Sequence, residues 1–201
     1  MVASTPCPEC GLLHNCVCAQ LPQVSVDAHI ALLMHENELT RDTNTGQWLL
    51  KSLPSSSQHV WQRTSPCPKL LALLKDERYL PVLLFPNDLS HPVSSAQDQA
   101  TLEGKIPLFI ILDGTWQEAK KMLRKSAWLA DIPLVHITPS HASVYQLRRN
   151  QSQGNLCTLE VAAEVIRELG GKNQADSLIH FLAHYMRVFK ADKSGHPYRS
   201  N

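Results

Sequence analysis

Four largely apolar runs mark the chain, at residues 29–35, 81–86, 107–113 and 132–139. Each run is bounded by polar or turn-forming residues and lacks the alternation of a strand with one solvated face. Such runs are typical of strands that are buried on both sides of a parallel sheet. A shorter and more polar segment at 58–62 is predicted to form a further strand.

Between these strands, apolar residues return at the spacing of an amphipathic helix. Gly170 and Gly171 interrupt the last of these patterns and divide it into two helices. Alternating strands and helices predict an α/β fold, with a mostly parallel sheet and helices on both of its faces. Ligands of such sheets bind at the carboxyl ends of the strands, where Asp113 and His35 stand. The predicted helices span residues 47–53, 68–76, 95–103, 116–130, 158–170 and 176–190.

The composition fits one globular domain with a small appendage. Of the 201 residues, 43% are hydrophobic, which suffices for a buried core, and 18% are charged, which is not the balance of a disordered chain. The formal net charge of +1 does not by itself indicate a nucleic-acid-binding protein. No apolar run reaches the roughly 20 residues of a membrane span, and the N-terminus lacks the pattern of a signal peptide. We therefore expect a cytoplasmic protein without a membrane partner.

Four of the six cysteines lie close together near the N-terminus, at Cys7, Cys10, Cys16 and Cys18. Four thiolates at this spacing can close a tetrahedron around Zn²⁺, which is the coordination of structural zinc sites. The alternatives are four unrelated thiols or a redox-active Cys-x-x-Cys pair, which normally opens a helix after a strand. His14 is a further candidate ligand in place of one cysteine. The spacing favours a structural zinc site.

The stretch FIILDGTWQEAKKM ends an apolar strand abruptly in Asp113. Thr115 and Glu118 fit a capping box at the start of the following helix, which leaves Asp113 outside the cap. A carboxylate near the positive end of a helix is expected to stay ionised, and it can accept a proton or bind an ammonium or hydroxyl group. Gly114 permits a positive φ or a close approach of a ligand to the backbone. Trp116, taken alone, is more typical of a core residue than of a platform for a ligand.

The tetrapeptide DGTW that begins at Asp113 resembles the Asp-x-Thr-Trp signature of the DTW-domain family. Further segments are similar to motifs of that family, namely CPECGLLHNCVC, LMHENELTRDTNTG, LLFPND and LRRNQSQGNLCTLEVAAE. Together they span roughly residues 7–165. The chain departs from the family pattern at Cys157, where serine is usual, and at Val161, where alanine is frequent.

This resemblance implies a function. Members of the family are tRNA-uridine aminocarboxypropyltransferases, which transfer the 3-amino-3-carboxypropyl group of S-adenosylmethionine to N3 of a uridine. They release 5′-methylthioadenosine, and the best-known bacterial members act on the variable loop of tRNA. The resemblance therefore implies tRNA as the partner and S-adenosylmethionine as a substrate.

The resemblance also implies a fold. The family is related to the knotted SPOUT methyltransferases, whose α/β sheet carries a C-terminal trefoil knot, an exception to the general absence of knots. We accordingly expect a zinc-binding head at residues 1–26 and a SPOUT-like catalytic domain at 27–201. Hydrophobic periodicity accounts for the sheet, whereas the knot is implied by the resemblance alone.

Roles of individual residues follow from the same resemblance. Asp113 is the candidate catalytic group, which either removes the N3 proton of uridine or holds the ammonium of S-adenosylmethionine. Thr158 also fits a simple N-cap, and the two interpretations of it stay open. The residues expected near S-adenosylmethionine are Thr45, Leu112, Leu134, Leu156 and Thr158. The residues expected to bind RNA or to support the site, several of them forming a local basic rim, are Arg41, Asn44, Trp116, Lys120, Arg124, Arg148 and Arg149.

Two other functions fit the same residues. An RNA methyltransferase of knotted fold would use S-adenosylmethionine and release S-adenosylhomocysteine, whereas a zinc-bearing RNA-binding module would form no product. The complete Asp-x-Thr-Trp and Thr-Asn-Thr-Gly motifs favour the aminocarboxypropyltransferase. The sequence leaves open whether the protein is a monomer or a homodimer, and which uridine it modifies.

Overall fold

Six parallel strands form a single sheet in the computed structural model, which describes residues 5–147 and 156–199. In chain order the strands are β1 (His29–Met34), β2 (Ser56–Val60), β3 (Tyr79–Leu84), β4 (His91–Pro92), β5 (Ile106–Asp113) and β6 (Leu134–His136). Their order in the sheet is β2-β1-β5-β3-β6-β4, and each neighbouring pair runs parallel. The predicted α/β fold with a mostly parallel sheet is confirmed.

Helices cover both faces of this sheet. They are α1 (Gly46–Ser52), α2 (Pro68–Lys75), α3 (Val93–Glu103), α4 (Trp116–Lys125), α5 (Thr158–Glu168) and α6 (Lys172–Lys193). Side chains alternate along each strand, so Leu32 and Ile111 pack with α1, α5 and α6, while Leu33 and Ile110 pack with α2 and α4. Phe109 lies on the same face as Ile111 and packs with α3. Both faces of the central strands are therefore buried, which explains why their sequences are continuously apolar.

The central pair β1 and β5 sets the position of the candidate site. Their register runs from His29 opposite Leu108 to Met34 opposite Asp113. Beyond the last pair, the backbone N–H of His35 donates a 2.9 Å hydrogen bond to the carbonyl of Asp113. The carboxyl ends of both strands consequently lie side by side at one edge of the sheet.

Several predicted element boundaries were wrong. The strand predicted at 132–139 is reduced to β6, and the segment before α3, where no strand was predicted, contains the two-residue strand β4. The helix predicted at 116–130 ends at Lys125, and a separate 3₁₀ turn follows at Ala127–Leu129. The break falls at Ser126, whose hydroxyl accepts a 2.7 Å hydrogen bond from the buried indole of Trp61. This tertiary contact leaves no trace in hydrophobic periodicity.

The cysteine-rich segment is tied into the main core. Leu12 and Val17 are 4% and 0% exposed, and they belong to the cluster that contains Trp48 of α1 and Phe181 of α6. The division into a head at 1–26 and a catalytic domain at 27–201 stays a prediction, and so does the trefoil knot, which the strand order alone does not define. Within the described parts of the chain, no helix is both long enough and apolar enough to cross a bilayer.

Candidate active site

Asp113 lies at the carboxyl end of β5, and its side chain is fully buried at 0% exposure. One carboxylate oxygen accepts a 2.5 Å hydrogen bond from the hydroxyl of Thr158, the first residue of α5. The other oxygen accepts a 2.9 Å hydrogen bond from the side-chain amide of Asn44, which precedes α1. A single carboxylate thus joins three segments that are far apart in the sequence.

The start of α1 approaches Asp113 unusually closely. A Cβ atom at Gly46 would lie 2.6 Å from Oδ2 of Asp113 and 3.0 Å from Leu32, so only glycine fits there without a shift of the neighbours. Thr45, the residue before the helix, accepts a 3.3 Å hydrogen bond from the backbone N–H of Leu159 in α5. The Thr-Asn-Thr-Gly segment is therefore held against both β5 and α5.

The turn after Asp113 contains the predicted capping box. The backbone N–H of Glu118 donates to the Thr115 hydroxyl at 3.2 Å, and the backbone N–H of Thr115 donates to the Glu118 carboxylate at 2.7 Å. Gly114 does not adopt a positive φ, which corrects one of its two predicted uses. A Cβ atom there would lie 3.1 Å from Cβ of Glu118 and 3.6 Å from Cβ of His35, so glycine serves close packing within the turn.

Glu118 also belongs to a network of charged residues above this turn. Its carboxylate accepts hydrogen bonds from Asn37 at 2.8 Å and from Arg41 at 3.1 Å. Burial opposes its ionisation, but the hydrogen bonds from Thr115, Asn37 and Arg41 outweigh this effect and lower the pKa of Glu118 to about 2. Glu118 is therefore ionised at neutral pH and can anchor the loop that precedes α1.

Arg41 lies between two carboxylates. Its guanidinium contacts Glu118 on one side and forms a short ion pair with the buried Glu38 on the other. Although burial disfavours its charge, these two carboxylates raise the pKa of Arg41 above its ordinary value. Glu38 in turn accepts a 2.9 Å hydrogen bond from Asn44, the same amide that bonds Asp113. The structure places Arg41 as a support of the Asn44 loop, while direct RNA contact by Arg41 stays a prediction.

His35 lies beside the same turn and is 2% exposed. Its ring stacks on Trp61 at a centroid distance of 5.4 Å, and Nδ1 accepts a 3.3 Å hydrogen bond from the backbone N–H of Asn37. Within the described residues, Nε2 has no hydrogen-bond partner.

Trp116 is exposed, which corrects its interpretation as a core residue. It is 43% exposed and stacks on Phe85 with an angle of only 3° between the rings and a centroid distance of 5.2 Å. The ammonium of Lys120 lies 5.3 Å from the centre of the Trp116 ring. An accessible aromatic surface with adjacent positive charge therefore lies at the carboxyl ends of β3 and β5.

The basic residues of α4 extend this surface. Lys120, Lys121, Arg124 and Lys125 are all exposed, and Lys121 lies 5.7 Å from the ring of Trp61. The net charge of the chain conceals this local excess of positive charge. Two further predicted RNA contacts, Arg148 and Arg149, lie outside the described residues.

The residues predicted near S-adenosylmethionine fall into two groups. Thr158 bonds Asp113, and Thr45 bonds the backbone N–H of the next residue, Leu159, on the face covered by α1 and α5. Leu112 and Leu134 belong to the cluster on the opposite face, with α2 and α4. Leu156 is half-buried and immediately precedes α5. The geometry brings together the two threonines and does not join the leucines to them.

Two buried glutamates of α5, Glu160 and Glu164, hold the segment that follows β6. Glu160 accepts hydrogen bonds from the backbone N–H groups of Val144 at 2.7 Å and of Cys157 at 2.7 Å. Glu164 accepts bonds from the backbone and hydroxyl of Ser140. Sequence reasoning did not assign a role to Glu164, Glu38 or Phe85. The only sequence signal for Glu164 is its spacing of four residues from Glu160, which places both on one side of α5.

The four clustered cysteines fit a tetrahedral metal site. Their sulfur atoms all lie within 4.8 Å of one another, and three of the pairs are 3.5, 3.9 and 3.9 Å apart. Zinc–sulfur bonds of about 2.3 Å in a tetrahedron require sulfur atoms about 3.8 Å apart. Within the described residues, no other group of three or more metal-ligating side chains has such geometry. His14 is not needed as a ligand.

Comparisons with known proteins bear on this arrangement. The family described as DTW domain matches residues 4–190. A relative from Drosophila melanogaster, named tRNA-uridine aminocarboxypropyltransferase 2, is 25% identical over 201 residues, covering 92% of this chain and 74% of its own. A relative of the same name from Mus musculus is 25% identical over 180 residues, covering 83% of this chain and 58% of its own. No solved structure matches the chain.

Proposed function

Since the chain belongs to the DTW domain family, we propose that it is a tRNA-uridine aminocarboxypropyltransferase that uses S-adenosylmethionine. The names of the fly and mouse relatives support this proposal at a distant level of identity. The main structural support for it is that three segments matching motifs of the family contact one another at one buried carboxylate. Asn44, Asp113 and Thr158 are linked by hydrogen bonds of 2.9 and 2.5 Å.

In the proposed reaction, a lone pair on N3 of uridine forms a bond to Cγ of the methionine moiety. The bond between Cγ and sulfur breaks, and its electron pair stays on sulfur, so that the sulfonium leaves as the neutral thioether 5′-methylthioadenosine. The N3 proton passes to a base. Because the leaving group is already activated, the protein contributes by aligning N3, Cγ and sulfur and by receiving or directing the proton.

Asp113 is the proposed catalytic residue. Thr158 and Asn44 fix the carboxylate of Asp113 at the strand end where ligands of such sheets bind. A carboxylate in that position suits either of two roles, which are to accept the N3 proton or to hold the ammonium of the substrate. Thr45 and Thr158 are proposed to line the same substrate site.

The exposed surface formed by Trp116, Phe85, Lys120 and Arg124 is proposed to receive the RNA near the reacting uridine. Stacking on an exposed aromatic ring is a common way to hold an unpaired base, and lysine or arginine beside it contacts phosphate. Trp116 stands three residues after Asp113, on the turn that begins at the catalytic carboxylate. A base stacked there would lie next to the carboxyl end of β5.

Zinc is proposed to occupy the four-cysteine site in a structural role, because four protein ligands leave no open coordination position. The head at 1–26 would then be a metal-stabilised part of the fold, and residues 27–201 would carry the transfer reaction. A tRNA substrate places the protein in a compartment that contains tRNA, so a cytoplasmic location is part of the proposal.

The decisive experiment is incubation with unmodified tRNA transcripts and S-adenosylmethionine, followed by mass spectrometry of nucleosides and of the small-molecule product. We expect a uridine carrying the aminocarboxypropyl group and an equal amount of 5′-methylthioadenosine. A methylated nucleoside with S-adenosylhomocysteine would identify a methyltransferase instead. Absence of any product, with tRNA binding indifferent to S-adenosylmethionine, would identify a non-catalytic RNA-binding module.

A further inference from the structure

A cleft with a volume of about 430 Å³ separates the cysteine head from the C-terminal half of α6. The head contributes Asn15, Cys16 and Gln20, α6 contributes His184, Arg187 and Val188, and the segment after α6 contributes Tyr198. None of these residues belongs to the candidate active site or has a role in the proposed reaction.

The wall of the cleft carries one permanent cation, Arg187, and one thiol of the cysteine cluster, Cys16. Arg187 is exposed and, within the described residues, forms no ion pair with a carboxylate. Its guanidinium lies 6.0 Å from the ring of Tyr198, and the ring of His184 meets the same tyrosine edge-on at 5.8 Å. None of the cleft-lining side chains is acidic. The cleft therefore offers an uncompensated cation beside an aromatic ring.

Hydrogen bonds between the head and the C-terminal segment hold the cleft in shape. Asp192 of α6 accepts hydrogen bonds from the backbone N–H groups of Leu13 and His14, in the head, at 2.8 and 2.7 Å. The backbone N–H of Tyr198 donates a 2.6 Å bond to the side chain of Asn15. The two walls are thus connected before any ligand binds.

The helix that carries Arg187 also contacts the candidate active site. The hydroxyl of Tyr185, two residues earlier, donates a 3.1 Å hydrogen bond to the carbonyl of Asp42, in the loop that leads to Asn44. The cleft and the Asp113 network consequently lie on the same side of the sheet, the side covered by α1, α5 and α6. A ligand larger than one nucleotide could contact both.

The chemistry of the cleft suits a nucleotide. Arginine binds phosphate through directed hydrogen bonds, tyrosine stacks on a base, and amide side chains such as Asn15 and Gln20 bond base edges. We propose that the cleft binds a nucleotide of the tRNA at a distance from the modified uridine, so that the cysteine head and α6 form a second tRNA contact. This proposal rests on the proposed function for the identity of the RNA.

The test uses full-length protein and a pool of unmodified tRNA transcripts. For Arg187→Ala we expect weaker tRNA binding, with the slope of log affinity against log salt reduced by about one, because one phosphate contact is lost. For Tyr198→Leu we expect at least a roughly fivefold weaker affinity, as for the loss of one stacked base. Arg187→Lys should show the same dependence of tRNA affinity on salt as the wild type. The rate of aminocarboxypropyl transfer at saturating tRNA should be unchanged in all three variants.

The matched control is Arg78→Ala, which removes an exposed arginine that is paired with Asp76 near the amino end of β3. It should bind tRNA like the wild type. Unchanged tRNA affinity in Arg187→Ala and Tyr198→Leu would overturn the proposal. So would a loss of bound zinc from Arg187→Ala, because the arginine would then serve to balance the charge of the thiolates.

These outcomes are independent of the transferase assignment. If the wild type forms no aminocarboxypropyl product while the variants still bind tRNA more weakly, tRNA binding by the cleft is supported and the proposed transferase function is contradicted. If product forms normally and the variants bind tRNA like the wild type, the transferase function is supported and tRNA binding by the cleft is contradicted.

Discussion

At the scale of single residues, Asp113 shows how much of the candidate site depends on one side chain. Its carboxylate is the shared acceptor of Asn44 and Thr158, and Gly46 is packed against it too closely for a Cβ atom. Deleting the carboxylate would therefore leave two buried donors without this acceptor and open a gap at the start of α1. The chemical and structural contributions of Asp113 have to be separated by the choice of substitution.

Asp113→Asn keeps the shape of the side chain and removes its charge. If Asp113 accepts the N3 proton, this variant should bind S-adenosylmethionine normally but transfer slowly, with a rate that rises at high pH as the uridine ionises by itself. If Asp113 holds the ammonium, S-adenosylmethionine should bind more weakly and high pH should not restore the rate. Binding by calorimetry and transfer rates across a pH series distinguish the two outcomes.

Asp113→Ala supplies the comparison for that experiment. It should lower the free energy of unfolding by about 1–3 kcal/mol, because buried donors lose their acceptor, and it should abolish transfer. Transfer at the wild-type rate in Asp113→Ala would exclude a catalytic role for this residue.

Glu118 makes the stability of the same region dependent on pH. Against the opposing effect of burial, its hydrogen bonds lower the pKa from 4.5 to about 2 in the folded protein. A depressed folded-state pKa contributes stability above the unfolded value, and this contribution is lost as the pH falls from about 4.5 towards 2. We expect the free energy of unfolding of the wild type to decrease more steeply across this window than that of Glu118→Gln. Urea titrations at several pH values measure this free energy. The same decrease with pH in the wild type and in Glu118→Gln would contradict this role of Glu118.

At the scale of elements, α4 illustrates what sequence does and does not determine. Its start was predicted correctly because a capping box is local and joins residues only three positions apart. Its end was predicted five residues too far along, since the break falls at Ser126, whose hydroxyl is bonded by Trp61 from a different segment. The exposure of Trp116 was also missed, because stacking on Phe85 joins the ends of two strands that only the sheet brings together.

The first turn of α4 carries the next prediction. Trp116→Ala should raise the KM for tRNA, because it removes a stacking surface, whereas Trp116→Phe should retain most of the affinity. The melting temperature should change little, since the indole is 43% exposed and belongs to no buried cluster. Steady-state kinetics with tRNA varied and S-adenosylmethionine saturating measures this effect. A fall in the melting temperature comparable to that of a core substitution would instead assign Trp116 to the support of the fold.

At the scale of the whole molecule, most strands and helices were predictable in their order along the chain, whereas the contacts that bring their ends together at the candidate site were not. Apolar runs identified the central strands, and the strand-end rule placed Asp113 at the correct edge of the sheet. The identity of its partners depends on contacts across 69 and 45 residues, between Asn44 and Asp113 and between Asp113 and Thr158. No local pattern encodes such pairs. The packing of Leu12 and Val17 into the main core was likewise invisible in a segment without periodicity.

That packing gives the zinc site a global effect. We expect purified protein to contain about one zinc ion per chain, and chelation to lower the melting temperature of the whole domain, because the head shares its core with α1 and α6. Cys16→Ser should have the same effect, whereas Cys67→Ser, which changes a cysteine outside the cluster, should not. Metal analysis and thermal unfolding followed by circular dichroism test this. A protein free of metal with an unchanged melting temperature would refute the zinc site.

The partners of Asp113 also have a consequence for biosynthesis. Asn44 is made before β5 and Thr158 after it, so the carboxylate cannot acquire both hydrogen bonds until α5 has left the ribosome. During translation the nascent chain can pair β1 with β5 while the reaction centre is still incomplete. Contacts of such sequence separation also form slowly in refolding, because the intervening loops must close first. Catalytic competence should therefore emerge as one of the last events of folding, well after the sheet itself has assembled.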